Sequence, residues 1–212
     1  MRILMSLALA LSLAGCQSAY YGAAEQFGVY KRDILVDRVE ESRDAQTEAE
    51  EQFQSALEQL SELTNFDGGD LEDMYDAMND EYEASVAAAE DVSERIDAVD
   101  HVAQSLFKEW EAEIEEYSSA RFKADSQAKL RDTRKRYAAM LTVLRRSESK
   151  MEPVLTALKD NGMYLKHNLN ARAVASLKVE FGQIEDDIEA LIAEMRKAIA
   201  SSDAFIASMQ DE

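Results

Sequence analysis

Few residues in this chain are of a type that could do chemistry. Cys16 is the sole cysteine, so there is no intramolecular disulfide to consider and its sulfur is available as a nucleophile. His101 and His167 are the only histidines. Neither has a helical i, i+4 partner of the His-Glu-x-x-His kind, so no metal site is expected. The 43 acidic residues make carboxylate pairs inevitable and therefore uninformative; they read as solvated helix faces. Gly-x-Ser-x-Gly and the phosphate-cradling Gly-x-x-x-x-Gly-Lys-Ser/Thr do not occur in the sequence. The expectation is a non-enzymatic chain without a cofactor.

Cys16 has a context that uses it. Arg2 supplies a minimal basic start, Ile3 to Ala14 is an apolar run broken only by Ser6 and Ser12, and small residues precede the cysteine. The run is shorter than the about 20 apolar residues a spanning helix needs. Leu13-Ala14-Gly15-Cys16 resembles the lipobox of bacterial lipoproteins at all four positions. In those proteins the signal is cut before the cysteine, whose sulfur and new amino group are acylated. A thiolate suits glyceride transfer, a small preceding residue suits a peptidase cleft, and several acyl chains on one residue give stable anchoring. The resemblance implies residues 1–15 as signal, Cys16 as the lipidation site and 16–24 as a tether. Gln17 in place of aspartate implies sorting to the outer membrane, facing the periplasm.

Charge is unevenly distributed. Residues 1–120 carry 7 basic and 29 acidic side chains, whereas residues 121–166 carry 12 and 5. The net charge of −20 repels nucleic acid. The basic run Arg121, Lys123, Lys129, Arg131, Arg134, Lys135 and Arg136 admits two readings. One is contact with anionic head groups; the favoured one is internal pairing with Glu109, Glu111, Glu113, Glu115 and Glu116 across a helical hairpin. Tyr20, Tyr21, Phe27 and Tyr30 suit either a bundle end or a membrane interface.

The elements that position these residues are long helices. One proline, seven glycines and 31% charged residues leave little room for β-turns. In a first helix over about 23–64, Leu35, Val39, Ser42, Gln46, Ala49, Phe53, Ala56, Leu60 and Leu63 follow a 4,3 spacing, the heptad period of a coiled coil. A second helix over about 70–118 carries the same spacing from Leu71 to Trp110, which is expected in the core. A third over about 126–166 contains Pro153, where a kink or restart is expected. A fourth spans about 171–209. The predicted fold, over residues 25–212, is all-α: an elongated antiparallel bundle of four long helices about 60 Å long. The reversals at 65–70 and 166–170 should share the distal tip, with the reversal at 118–125 near the lipid surface.

Paired Gly68 and Gly69 permit the positive φ of a helix C-cap, and Asp70 suits an N-cap. Asp67 and Asp70 lack the spacing of an EF-hand. Together with Lys166, His167, Asn168, Asn170 and Arg172 they make a candidate docking tip. The stretches Tyr30 to Val39, Asn65 to Glu72, Lys150 to Leu155 and Tyr164 to Arg172 resemble a family of Gram-negative lipoproteins known only as a domain of unknown function. That resemblance implies an exported helical protein and supplies no activity. Some members carry a DNA-repair ATPase label, which the missing nucleotide loop does not support here.

The expected function is a lipid-anchored periplasmic interaction or spacer protein of the outer membrane, with an envelope protein or peptidoglycan as partner. Exposed seams would allow a homodimer. The alternative is a carrier of a lipid or other apolar ligand, using a slot beside Pro153 and the small residues of the second helix.

Overall fold

Apolar side chains recurring every three or four residues need a common interior, and four helices supply it. The computed structural model describes residues 30–65 and 70–210. Helix α1 spans Lys31–Thr64, α2 Leu71–Glu116, α3 Ala120–Lys166 and α4 Ala171–Gln210. There is no strand among the described residues. The expected start of the first helix before residue 30, the aromatic residues Tyr20, Tyr21 and Phe27, and Cys16 lie outside them.

Helix α1 packs on α2 and α4, and α3 packs on the same two, so the four form a ring with α1 diagonal to α3. Neighbours are antiparallel. The start of α1 meets the end of α2 through Lys31 and Glu109, and Gln52 further along α1 donates to Glu81 near the start of α2. Arg43 and Glu50 of α1 pair with Asp203 and Arg196 of α4 in reverse order. Two ends result. Tyr30, the α2–α3 turn and Met209 lie at one; the α3–α4 turn and the start of α2 lie at the other.

All nine α1 positions named from the spacing are buried, from Leu35 to Leu63. In α4, Val174, Leu177, Ile184, Ile188, Leu191, Met195, Ala198 and Met209 are buried as well. The α2 pattern is looser: Leu71, Tyr75, Tyr82, Ala89, Leu106 and Trp110 are only half-buried, packed against the rim of the core. Each fully buried Leu or Ile contributes roughly 1.5–3 kcal/mol relative to exposure, which is what holds helices joined by such short turns.

Helix boundaries follow local capping. Asp70 accepts from the Glu72 N–H at 2.9 Å, and Asn170 accepts from the N–H groups of Arg172 and Ala173 at 3.0 and 3.2 Å. The reversal expected over 118–125 is shorter than its polar composition suggests. Ser119 caps α3 by accepting from Phe122 N–H at 3.4 Å, so the helix begins at Ala120 and residues 120–125 are helical. Pro153 does not restart α3, which runs unbroken through it. Pro153 is exposed, as is Ser149, whose carbonyl loses its helical donor there, so the interruption falls on the solvent side of α3.

Candidate functional site

The basic run sits on the first turns of α3, facing the acidic end of α2 across a three-residue turn. Lys123 pairs with Glu115 at 2.6 Å and Arg134 with Glu111 across that turn, while Lys129 and Arg136 pair within α3 with Asp125 and Asp132. The hydrogen bond from Arg134 holds the Glu111 carboxyl below its usual range, against a smaller opposing effect of burial. Arg134 also lies 5.1 Å from the Phe107 ring centre, a cation–π distance. Glu109 turns away to Lys31 of α1 instead, at 2.8 Å. Internal pairing thus takes up part of the run. Arg121, Arg131 and Lys135 are exposed and have no ion pair among the described residues.

Beside them the same end of the bundle shows aromatic rings to solvent. Tyr117 and Phe122 flank the turn with ring centres 6.4 Å apart, and Tyr117, Phe122 and Tyr30 are 46%, 60% and 66% exposed. A cavity of about 410 Å³ opens here between Tyr30, Leu106, Trp110 and Met209, with Lys31 and Glu109 in its wall. Trp110 is half-buried, not core: its indole N–H donates to Ser126 Oγ at 2.8 Å and so ties α2 to α3. Arg32 donates to the Met209 carbonyl, fastening the start of α1 to the end of α4.

The opposite end carries the tip residues. Tyr75 and Met78 of α2 and Met163 and Lys166 of α3 line one cavity of about 170 Å³, so the two helix ends are adjacent. Asp70, Asn168 and Asn170 are spent on helix ends: the first and last are N-caps, and Asn168 donates to the Tyr164 carbonyl at 2.9 Å. Lys166, His167 and Arg172 are exposed, and among the described residues their side chains have no partner. Asp67, Gly68 and Gly69 lie outside the described residues. Sequence reasoning missed Met163, Tyr164 and Leu169, which are 49%, 44% and 42% exposed at this end. Their signal was present, since Met163 and Tyr164 fall off the stripe that runs from Leu158 to Leu165.

Beside Pro153 there is a slot of about 440 Å³. Val86, Ala89, Met151 and Leu155 supply its apolar wall, but Glu90, Glu148 and Glu152 line it too. Deeper in the bundle, Tyr137 donates to Asp100 and packs edge-on against Phe107 at 5.3 Å. Burial first, and the bond to Asp100 second, push the Tyr137 hydroxyl well above its ordinary pKa. The protonated phenol ties α3 to α2 through its bond to Asp100. Among the described residues no group of three His, Cys, Asp or Glu side chains is placed to hold a metal ion. No described helix is long and apolar enough to cross a membrane.

A family model described as "Protein of unknown function (DUF2959)" matches residues 20–209. The chain belongs to the DUF2959 family. The match takes in the four helices up to Met209, which agrees with the family resemblance seen in the Tyr30, Asn65, Lys150 and Tyr164 stretches. No curated protein and no solved structure matches the chain.

Proposed function

We propose that this DUF2959 member is a non-enzymatic, lipid-anchored interaction and spacer protein of the outer membrane, held through Cys16 and facing the periplasm. The observation that carries this is the contrast between the two ends of the bundle. The polypeptide from Cys16 joins the bundle at Tyr30, and the exposed Lys166, His167 and Arg172 lie at the far end beside exposed Met163, Tyr164 and Leu169. Helices of 46 and 47 residues separate these ends by about 70 Å. A rod of that length places a mixed cationic and apolar tip away from the lipid, toward peptidoglycan or an envelope protein. The 4,3 spacing of the buried α1 positions supports coiled-coil packing, which would keep such a rod stiff.

Intact mass and membrane fractionation of the wild type beside Cys16→Ala test the anchor. The expected result is a triacylated chain beginning at Cys16, with the variant lost from the outer membrane. An unmodified wild-type chain in the cytoplasm would overturn the anchor, compartment and partners together.

The second reading, a carrier of a lipid or other apolar ligand, is favoured by the slot beside Pro153 and the cavity beside Trp110. Three glutamates in the slot oppose an anionic lipid there. Native mass spectrometry of the purified chain separates the readings, because a carrier retains a lipid-sized adduct.

A further inference from the structure

Three features coincide at the end of the bundle where the chain enters. Tyr117 on the α2–α3 turn and Phe122 in the first turn of α3 are 46% and 60% exposed, with ring centres 6.4 Å apart, and neither belongs to the core cluster. Arg121, Arg131 and Lys135 are exposed and lack ion pairs among the described residues. At 100° per residue these three fall within about 80° of one another around α3. Finally, residues 17–29 connect Cys16 to Tyr30, and 13 residues reach about 45 Å at most.

We propose that the α2–α3 turn and the adjoining face of α3 are a membrane-contact surface, in which Tyr117 and Phe122 enter the interface of an anionic phospholipid leaflet and Arg121, Arg131 and Lys135 bind its head groups. The proposal rests on the lipid-anchor reading for its leaflet. Aromatic rings with one apolar face are favoured at head-group depth. Cations gain from the negative surface potential of the leaflet within a Debye length. The pairing of Lys123 with Glu115 and of Arg134 with Glu111 neutralises the flanking carboxylates. Glu113 and Glu116 sit on α2, across the turn, so the lipid-facing side is that of α3. Arg121 and Lys135 are separated by about 21 Å along the helix. Both reach head groups only if the bundle leans onto its α3 side, so the surface sets a tilt and with it the height of the distal tip.

The test uses the full-length acylated chain carrying Trp110→Phe and Phe122→Trp, which leaves one indole on the turn. It is reconstituted into phosphatidylcholine vesicles with and without phosphatidylglycerol, with ordinary or brominated acyl chains. Circular dichroism verifies helicity. The expected result is that brominated anionic vesicles remove about half of the indole emission, and that omitting phosphatidylglycerol, or adding Arg121→Gln, Arg131→Gln and Lys135→Gln, cuts this quenching several-fold. Equal emission in brominated and ordinary vesicles, with the chain floating on both, overturns the contact while leaving the anchor intact. Quenching indifferent to lipid charge and to the three substitutions overturns it as well. Intact mass reads the anchor separately. An unacylated chain still quenched by anionic vesicles keeps the contact and drops the anchor, whereas one that fails to bind them overturns both.

Discussion

The Ser147 hydroxyl donates to the side-chain carbonyl of Gln46 at 2.9 Å in the fully buried interior, joining α3 to the diagonal helix α1. It is an incomplete polar layer. Among the described residues, the Gln46 amide nitrogen and the hydroxyls of Ser42 and Ser202 are buried without hydrogen-bond partners. An unsatisfied buried donor costs roughly 1–3 kcal/mol, so these residues weaken the middle of the bundle while favouring one alignment of its helices. Ser147→Ala should lower stability by about 1 kcal/mol, by orphaning the Gln46 carbonyl. The pair Gln46→Leu with Ser147→Ala should raise stability above wild type, by removing both polar groups together. Urea unfolding measures both, and a destabilised double variant would sink the account.

Alkaline pH should weaken the fold through Tyr137. Its hydroxyl is pushed above the ordinary value of 10.0 by burial and by Asp100. The folded state therefore keeps a proton that the unfolded state releases. That contribution is fully present below about pH 10 and is lost as pH rises beyond it. Tyr137→Phe should be less stable near neutrality by about 1–2 kcal/mol. Its stability should also fall less steeply above pH 10. Parallel pH profiles for the two chains would contradict the assignment.

The distal tip separates structural from docking residues. Asn170→Ala removes the acceptor for two N–H groups at the start of α4 and should cost about 1 kcal/mol. His167→Ala with Arg172→Ala removes exposed side chains without partners among the described residues. These changes should leave melting within about 0.5 kcal/mol of wild type while abolishing envelope crosslinks at the tip. Crosslinking unchanged in the His167 and Arg172 variant would remove the docking proposal.

Burial makes a sharper contrast along the helices. Ile188 of α4 is fully buried, and Val179 on the same helix is 80% exposed. Ile188→Ala should cost about 2–5 kcal/mol, whereas Val179→Ser should change stability by less than about 0.5 kcal/mol. Thermal unfolding of the two variants side by side checks this, and equal losses would mean that Val179 is covered in solution.

Much of the architecture is local and so could be read without coordinates. The 4,3 spacing from Leu35 to Leu63 reflects the turn of a single helix, and a residue's place in that cycle decides which side it presents. Asp70 and Asn170 cap their helices because each side chain reaches its own backbone two or three residues on. The shorter α2–α3 turn was hidden by composition: Ser118 to Asp125 is polar, but Ser119 is itself a cap, and a polar stretch on a helix surface looks like a loop in one dimension.

The sequence by itself determined the four helices, most of their buried stripes and the family to which they belong. Only the tertiary structure decided which carboxylate meets which cation. Glu109 and Glu111 are close in sequence, yet one faces Lys31 of α1 and the other Arg134 of α3, because residues two apart on a helix point to different sides. The same holds for Gln46 and Ser147, and for Arg121, Arg131 and Lys135, which have no carboxylate partner among the described residues. Periodicity specifies a face, whereas a partner depends on the rotation and axial register of a second helix, which only the packed core sets.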